Sequence, residues 1–174
     1  NYDELLEDLQ EIESQYPDIC KLYDIGNTRG KEYSMAANSY YNDYNHEIWA
    51  MKVSDNVEEE EDEPSVFYMA EHHAREPMSY MNLFYFMDWL TENYGIDEEA
   101  TALVNNRELY FLPAINPDGL VYNQQIAPNG GGMQRKSMKE SCLSSPDGID
   151  LNRNYSFMWG YDNSGSSPDG CSET

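Results

Sequence analysis

The amino-acid sequence predicts an α/β fold, with a mixed and mostly parallel sheet flanked by helices. The first observation is the order of elements in the middle of the chain, where apolar strands at residues 66–70 and 108–114 enclose two helical segments. Strand, helix, strand is the order that produces parallel sheets covered by helices. The second is composition, since 40% hydrophobic residues in a chain of 174 are enough for the core of one domain of ordinary size.

The first part of the chain contains a predicted helix and three strands. Residues 2–16 carry apolar side chains at helical spacing and predict an amphipathic helix. Residues 20–25 and 47–53 alternate apolar and polar side chains and predict strands. The acidic run at 58–63 predicts a solvated loop before the next strand. Because residues 66–70 are continuously apolar, this strand is expected to be buried on both faces.

The second part contains two helices, the last strand and a region rich in loops. Pro77 is expected to start a helix that extends to about residue 93, with Glu76 as its cap. Apolar residues on nearly every side of this helix predict deep burial. Another helix is predicted at 97–105. The segment Asn116-Pro117-Asp118-Gly119 has the residues of a type I turn, and the glycines and prolines beyond it predict loops.

The charge balance excludes several classes of partner. There are 10 basic and 33 acidic side chains, a formal charge of 10 − 33 = −23. Binding to nucleic acid or to an anionic membrane surface is therefore not expected. The sequence also has no apolar run near the roughly 18 residues that cross a bilayer. Of the three cysteines, Cys20 is predicted to be a small core residue.

A histidine and a glutamate follow the strand at residues 66–70. His73 and Glu76 are three residues apart, so that the imidazole and the carboxylate can turn toward one point. With one further protein ligand they would form a zinc site of the His₂Glu type, which keeps its fourth position open. The alternative is that both residues have structural roles, with the histidine bonded to a backbone carbonyl and the glutamate capping the next helix. His72 is expected to point away, because neighbours in an extended strand face opposite sides.

Three of the few basic residues lie beside polar motifs. Arg75 lies between the histidine and the glutamate, Arg135 lies in a glycine-rich region, and Arg153 belongs to the segment Asp150-Leu151-Asn152-Arg153-Asn154. In so acidic a chain, this placement predicts a local positive pocket for an anionic group. The planar fork of arginine suits a carboxylate, because it offers two parallel hydrogen bonds. The alternative is that each arginine pairs with surface acids.

Taken in order, these motifs resemble the zinc metallocarboxypeptidases of the carboxypeptidase A, B and T type. The resemblance covers nearly the whole chain and includes its last four residues, Cys171-Ser172-Glu173-Thr174. It implies that residues 1–174 are the N-terminal part of a single zinc carboxypeptidase catalytic domain, with the sheet-and-helix fold of that family. The family supplies its third zinc ligand, a histidine, and its general-base glutamate further along the chain. We therefore expect residues 1–174 alone to be inactive or weakly active.

The resemblance also assigns roles around the expected zinc ion. His73 and Glu76 look like two of the three zinc ligands. Asp150 looks like the carboxylate that accepts the other ring N–H of His73 and so fixes its tautomer. Arg135 looks like the catalytic cation that stabilises the oxyanion of the tetrahedral intermediate.

Further roles implied by the resemblance concern the substrate and the compartment. Asn152 and Arg153 look like the pair that binds the terminal carboxylate of a peptide, and Arg75 looks like a residue that contacts the peptide backbone. Cys142 and Cys171 match a disulfide seen in part of the family. Such a bridge implies an oxidising compartment, so the protein is expected to be secreted or periplasmic.

The function implied by the resemblance is that of a zinc-dependent exopeptidase. It would release C-terminal amino acids from peptides that carry a free C-terminal carboxylate. Two alternatives remain open at this point. One is a non-catalytic module that binds peptides or carboxylates, and the other is a deacylase of small N-acyl amino acids. The sequence leaves the oligomeric state undetermined.

Overall fold

The structure, a computed structural model, describes residues 1–139, 148–162, 164, 166 and 167. In these ranges the chain forms helices, strands and two short 3₁₀ helices (Ser39–Tyr41 and Leu151–Arg153) in the following order: α1 (Tyr2–Gln15), β1 (Cys20–Asn27), α2 (Arg29–Met35), β2 (Glu47–Val53), β3 (Ser65–Met69), α3 (Met78–Asn93), α4 (Glu98–Val104), β4 (Glu108–Leu112) and α5 (Pro117–Ile126). None of the helices described is long and apolar enough to cross a membrane.

The four strands form one mixed sheet in the order β1-β2-β4-β3. Strands β2 and β4 are antiparallel, with Lys52 opposite Tyr110, whereas β3 and β4 are parallel, with Phe67 opposite Tyr110. The predicted mixed sheet with flanking helices is thus confirmed, and of these two pairings one is parallel and the other antiparallel. Strand β3 lies at the end of this order, and it is connected to β4 through the helices α3 and α4, as the strand–helix–strand pattern predicts.

The chain divides into two compact units. The sheet unit comprises Asn1–Gly26, Ile48–Ala70 and Pro77–Ile115. The α5 unit comprises the segments Asn27–Glu47 and Glu71–Glu76 and the described residues from Asn116 onward. It contains α2, α5 and both 3₁₀ helices.

The sheet unit is built around an apolar core. Helix α1 starts with a capping box, in which the Asn1 side chain accepts a hydrogen bond from the Glu4 amide and Glu4 reaches back. Its apolar stripe then packs with α3, α4 and the strands β2 and β4. The side chains at the centre of this cluster have no exposed surface (Leu9, Met51, Val53, Met87, Leu90, Val104 and Phe111). The predicted core position of Cys20 is confirmed, and burial raises the pKa of its thiol to about 12.

One buried ion pair lies within this apolar unit. The Lys52 ammonium is 2.8 Å from a carboxylate oxygen of Glu108, and both side chains are almost fully buried. Glu108 also accepts hydrogen bonds from the Ser65 hydroxyl at 3.0 Å and from the Glu61 amide at 3.4 Å. The ammonium in turn donates to the Glu59 carbonyl. The acidic loop, which is largely exposed as predicted, is therefore anchored through its backbone.

Two predictions about burial in the sheet unit are wrong. Strand β3 is not buried on both faces, because Phe67 is 50% exposed and Met69 is 37% exposed. Helix α3 buries only the stripe that contains Phe84, Met87 and Leu90, while Tyr85 is 76% exposed. Apolar composition on every side of an element therefore did not indicate burial, because a side chain is buried only where another element covers it.

Two predictions about helix starts are also wrong. The cap residue of α3 is Pro77 and not Glu76, and no side chain caps this helix. The segment Asn116-Pro117-Asp118-Gly119 forms the start of α5 instead of a type I turn. The Asn116 side chain accepts a hydrogen bond from the Gly119 amide, and Pro117 occupies the first helical position. The same residue types suit both structures, since asparagine is a good N-cap and proline needs no donor at that position.

Candidate functional site

His73 stands between two carboxylates. It belongs to the ligand segment, residues 71–76, which follows β3 in the chain and lies in the α5 unit. A turn closed by the Glu76 amide and the His73 carbonyl, 2.9 Å apart, brings the two side chains together. Atom Nδ1 of His73 lies 3.2 Å from Oε2 of Glu76, and Nε2 lies 3.1 Å from Oδ1 of Asp150. The His73 side chain is largely buried, whereas Glu76 is half exposed.

Arg135 completes a cluster of four charged or titratable groups. Its Nη1 donates to Oε1 of Glu76 at 3.3 Å, and its Nε donates to Oδ2 of Asp150 at 3.3 Å. We call His73, Glu76, Arg135 and Asp150 the His73 cluster. Each carboxylate of the cluster uses one oxygen for the imidazole and the other for the guanidinium. The arrangement therefore fixes the relative positions of all four side chains.

The electrostatics of the cluster favour an ionised Asp150. Burial by itself would raise the pKa of this carboxyl, but the hydrogen bond to His73 and the nearby Arg135 guanidinium outweigh burial and hold the pKa below its ordinary value. Asp150 also caps the 3₁₀ helix Leu151–Arg153, because its Oδ1 accepts from the Asn152 amide at 3.0 Å. The backbone of this 3₁₀ helix therefore also holds the anionic Asp150 side chain in place.

The other predicted site residues are close to the cluster in sequence, and in the described part of the chain their side chains form no hydrogen bond with its four members. Arg75 is exposed, between His73 and Glu76. Asn152 and Arg153 are exposed on the 3₁₀ helix that Asp150 caps, and Arg153 donates to the Asn152 carbonyl at 3.0 Å. The predicted disulfide partners, Cys142 and Cys171, lie outside the described residues.

His72 is engaged elsewhere. Its Nε2 contacts the hydroxyl of Tyr155, and the two rings pack with their centroids 5.7 Å apart. Burial, with a smaller contribution from the neighbouring His73, lowers the pKa of His72. We therefore expect His72 to be neutral at pH 7 and to remain with Tyr155.

Sequence reasoning missed a buried acid at the start of the ligand segment. Glu71 is 2% exposed, and it adopts a positive φ of 54°, which few residues other than glycine do. Burial raises the pKa of its carboxyl to about 9, so the group is neutral at pH 7. The signal in the sequence was an acid between an apolar strand and a histidine pair.

The geometry of His73 and Glu76 suits a zinc ion. Two ligand atoms at about 2.0–2.2 Å from zinc in tetrahedral geometry are roughly 3.3 Å apart, and the observed distance from Nδ1 to Oε2 is 3.2 Å. If the ring proton is on Nε2, facing Asp150, then Nδ1 presents a lone pair to the Glu76 carboxylate. Two acceptors at this distance need a cation between them or a second ring proton. The donor set therefore fits the metal.

A third ligand for this position is not found among the described residues. In that part of the chain, the one group of three side chains that could hold a metal ion is Asp55, Glu61 and Glu63, in the loops of the sheet unit. These are all carboxylates, which are ligands for hard cations such as calcium and lack the imidazole of a typical zinc site.

Comparison with known proteins gives a family and a fold. The family model described as zinc carboxypeptidase matches residues 5–174. A zinc carboxypeptidase from Saccharothrix mutabilis subsp. capreolus is 30% identical over 160 residues, which cover 92% of this chain and 33% of that protein. Carboxypeptidase A2 from Rattus norvegicus is 32% identical over 113 residues, 65% of this chain and 26% of that protein.

Solved structures share the fold. Carboxypeptidase A from Helicoverpa armigera superposes with a TM-score of 0.73 at 24% identity, over all of this chain and 37% of its own. Thrombin activatable fibrinolysis inhibitor gives a TM-score of 0.70 at 23% identity, over 88% of this chain and 33% of its own. The chain thus spans about a third of the length of these proteins.

Proposed function

The chain belongs to the zinc carboxypeptidase family, and from this premise we propose that it is part of a zinc-dependent exopeptidase that releases C-terminal amino acids from peptides. Because the chain spans about a third of the length of its relatives, the activity is proposed for the longer protein. Residues 1–174 would form the N-terminal part of one catalytic domain and would be inactive or weak alone.

The observation that carries this proposal is the pair of contacts made by His73. Its Nδ1 and the Glu76 carboxylate are at the separation of two zinc ligands, and its Nε2 faces Asp150. We assign His73 and Glu76 as metal ligands and Asp150 as the group that keeps the ring proton on Nε2. Zinc bound there would supply a Lewis acid that polarises the scissile carbonyl and lowers the pKa of a bound water.

Arg135 is proposed to stabilise the negative oxygen that develops on the substrate. Its guanidinium is held by Asp150 and lies beside the ligand Glu76. A preorganised cation beside the metal ligands acts without reorganisation when charge develops, and this is the usual source of the largest contribution to such catalysis.

The substrate is proposed to be a peptide with a free C-terminal carboxylate. Asn152 and Arg153 are exposed and follow the anchored Asp150, so they are available to bind that carboxylate. Arg75 is exposed within the ligand segment and is assigned to the peptide backbone. In a chain with a net charge of −23, one arginine within the His73 cluster and two arginines close to it in sequence favour an anionic substrate group. With the proposed Cys142–Cys171 disulfide, a secreted or periplasmic location follows.

A zinc titration of the 174-residue chain tests the metal site. We expect one zinc ion to bind weakly, because only two ligands are proposed within it, and we expect His73→Asn and Glu76→Gln each to abolish this binding. His72→Asn is the matched control, since His72 is the adjacent imidazole and contacts Tyr155. Equal binding by wild type and His73→Asn, or no binding by wild type, would contradict the assignment.

A hydrolysis assay tests the other part of the proposal. Residues 1–174 are expected to leave an N-blocked dipeptide intact with or without zinc. Turnover by this chain that His73→Asn removes would show that the catalytic groups are already complete within it.

A further inference from the structure

Helix α5 presents two buried asparagines on one face. Asn116 is its N-cap residue and Asn123 lies seven residues later, which is close to two full turns. Both side chains lie in the interior, with 3% and 7% of their residue surface exposed. A buried amide must find partners for its two N–H donors and its oxygen. In both cases the N–H partners are backbone carbonyls of the segments that carry His73 and Arg135.

Asn116 joins the ligand segment to a second segment, residues 134–136, which we call the cation segment because it contains Arg135. Its Nδ2 donates to the His72 carbonyl at 3.3 Å and to the Arg135 carbonyl at 3.4 Å. Its Oδ1 accepts from the Gly119 amide at 3.2 Å and so caps α5. A single side chain therefore fixes the helix and both segments.

Asn123 repeats this connection two turns further along the helix. Its Nδ2 donates to the Ala74 carbonyl at 3.0 Å and to the Gln134 carbonyl at 2.9 Å. Its Oδ1 accepts from the Gln134 amide at 2.8 Å. The orientation of the amide is dictated by its partners, because two carbonyls require the nitrogen and one N–H requires the oxygen. The two segments also contact each other directly, since the Ala74 amide donates to the Arg135 carbonyl at 3.1 Å.

Two glycines, which have no side chain, allow Ala74 and the two asparagines to lie close to the backbone around them. A Cβ atom at Gly119 would lie 2.7 Å from the Ala74 side chain and 2.8 Å from Oδ1 of Asn116. At Gly132 it would lie 2.6 Å from Oδ1 of Asn123. Contacts of this length do not occur for real side chains, so the space around both asparagines is filled. The two amides have little freedom to choose other partners.

We propose that Asn116 and Asn123 are positioning residues, an amide clamp that holds the ligand segment against the cation segment and so sets His73 and Glu76 opposite Arg135. The clamp acts through backbone carbonyls and amides. The proposal rests on the proposed function only in its assignment of zinc to His73 and Glu76. That the clamp joins the two segments can be tested without metal.

The first experiment measures hydrogen exchange at the Ala74 amide in Asn116→Ser and Asn123→Ser. Serine is neutral, and at position 116 it still caps α5, but it is too short to reach both carbonyls. The hydrogen bond from Ala74 to Arg135 is intact in both variants unless the segments separate. We expect exchange at Ala74 to become about tenfold faster or more, while exchange in β4 stays unchanged.

Asn93→Ser is the matched control for this experiment. Asn93 also donates from its side chain to a backbone carbonyl, that of Trp89 at 2.8 Å, but it lies in α3 of the sheet unit. Its variant should leave Ala74 exchange at the wild-type rate. Unchanged exchange in both Asn116→Ser and Asn123→Ser would overturn the clamp. If one of them does not fold, the other decides.

The second experiment asks whether the clamp links Arg135 to the metal. Arg135→Gln removes a cation that pairs with Glu76, a proposed zinc ligand. Zinc should therefore bind the chain about 3- to 10-fold more tightly, which is the size of coupling found between residues of one hydrogen-bonded network. We expect this gain to disappear in the Asn116→Ser and Asn123→Ser backgrounds and to persist in Asn93→Ser. A gain of equal size in all backgrounds would overturn the positioning role. If wild type binds no zinc, the proposed function fails, and the exchange rates alone decide the clamp.

Discussion

Each of the two units of the molecule is stabilised internally by a different kind of interaction. In the sheet unit, helices and strands bury a continuous apolar core around Leu90 and Phe111. Among the described residues of the α5 unit the cluster of buried apolar side chains is small, consisting of Tyr41, Tyr44 and Met138. Side chains bonded to backbone groups connect the loops of this unit. Hydrophobic contacts are not directional, whereas hydrogen bonds fix distance and angle. The unit that carries the His73 cluster is therefore the one in which polar groups set the geometry.

The largest loss of stability is expected from a substitution that creates a cavity in the sheet unit. Leu90 lies in α3 and is fully buried in the apolar core. Leu90→Ala should lower the free energy of unfolding by about 2–5 kcal/mol, because the substitution removes apolar contacts and leaves a void. Urea unfolding followed by circular dichroism measures this change. Ile96→Ala is the control, since Ile96 is 81% exposed and its variant should change stability little. Similar losses for both variants would mean that the apolar core is not what stabilises this unit.

A smaller effect is expected from a polar truncation in the α5 unit. Asp118 is buried, and its two oxygens accept from the Gly30 amide at 2.9 Å and face Nδ1 of His46 at 2.9 Å. Asp118→Ala leaves these groups without their acceptor and should cost about 1–3 kcal/mol. Faster hydrogen exchange at Gly30, with β4 unaffected, is the expected result.

Asp118→Asn is the matched variant for this comparison. It keeps one acceptor oxygen and nearly the same volume, so its effect should be smaller than that of alanine. If Asp118→Ala instead destabilises β4 as strongly as Leu90→Ala does, then the two units do not differ in the way proposed here.

The smallest effect is the pH dependence of stability that comes from the buried ion pair of Lys52 and Glu108 in the sheet unit. The hydrogen bond from the Lys52 ammonium holds the pKa of Glu108 below its ordinary value of 4.5. Glu108 thus has its ordinary pKa in the unfolded chain and a lower pKa in the folded chain. At a pH between these two values the unfolded chain binds a proton that the folded chain does not bind, so stability falls as the pH falls. This contribution is complete above the ordinary pKa and is lost as the pH approaches the lower, folded value.

Unfolding of Glu108→Gln in urea, measured from pH 7 down to about pH 3.5, isolates this contribution. The variant should be less stable than wild type at pH 7, and its stability should fall less steeply below about pH 4.5. Glu7→Gln removes the same charge from an exposed site in α1 and is the control. Equal slopes for Glu108→Gln and wild type would mean that the pair does not contribute to acid sensitivity.

The sequence predicted the elements of the sheet unit well and those of the α5 unit poorly. The periodic spacing of apolar residues is a physical signal, and it placed α1, β1 and β2 within about two residues of their observed bounds. Helix α2 was not predicted, and the start of α5 was predicted as a turn, because Asn116 and Pro117 suit both. Burial of β3 was also mispredicted, since it depends on which elements cover a strand.

The site residues were predicted from their motifs and their roles from the resemblance, and the supporting residues were not predicted. His73, Glu76, Arg135 and Asp150 are reactive residue types in motifs, and the structure brings them together. The role of Asn123 depends on backbone groups of residues far from it in sequence. A single sequence does not encode such partners in any periodic pattern, and no local signal marked this asparagine.

The exposed edge of the sheet has a consequence for work with this chain. Among the residues that the structure describes, strand β3 ends the strand order, with Phe67 and Met69 in contact with solvent. Unpaired backbone groups beside apolar side chains are a template onto which another extended polypeptide can add, and this is a common origin of aggregation. Protein concentration is therefore the condition to control when the chain is purified and stored.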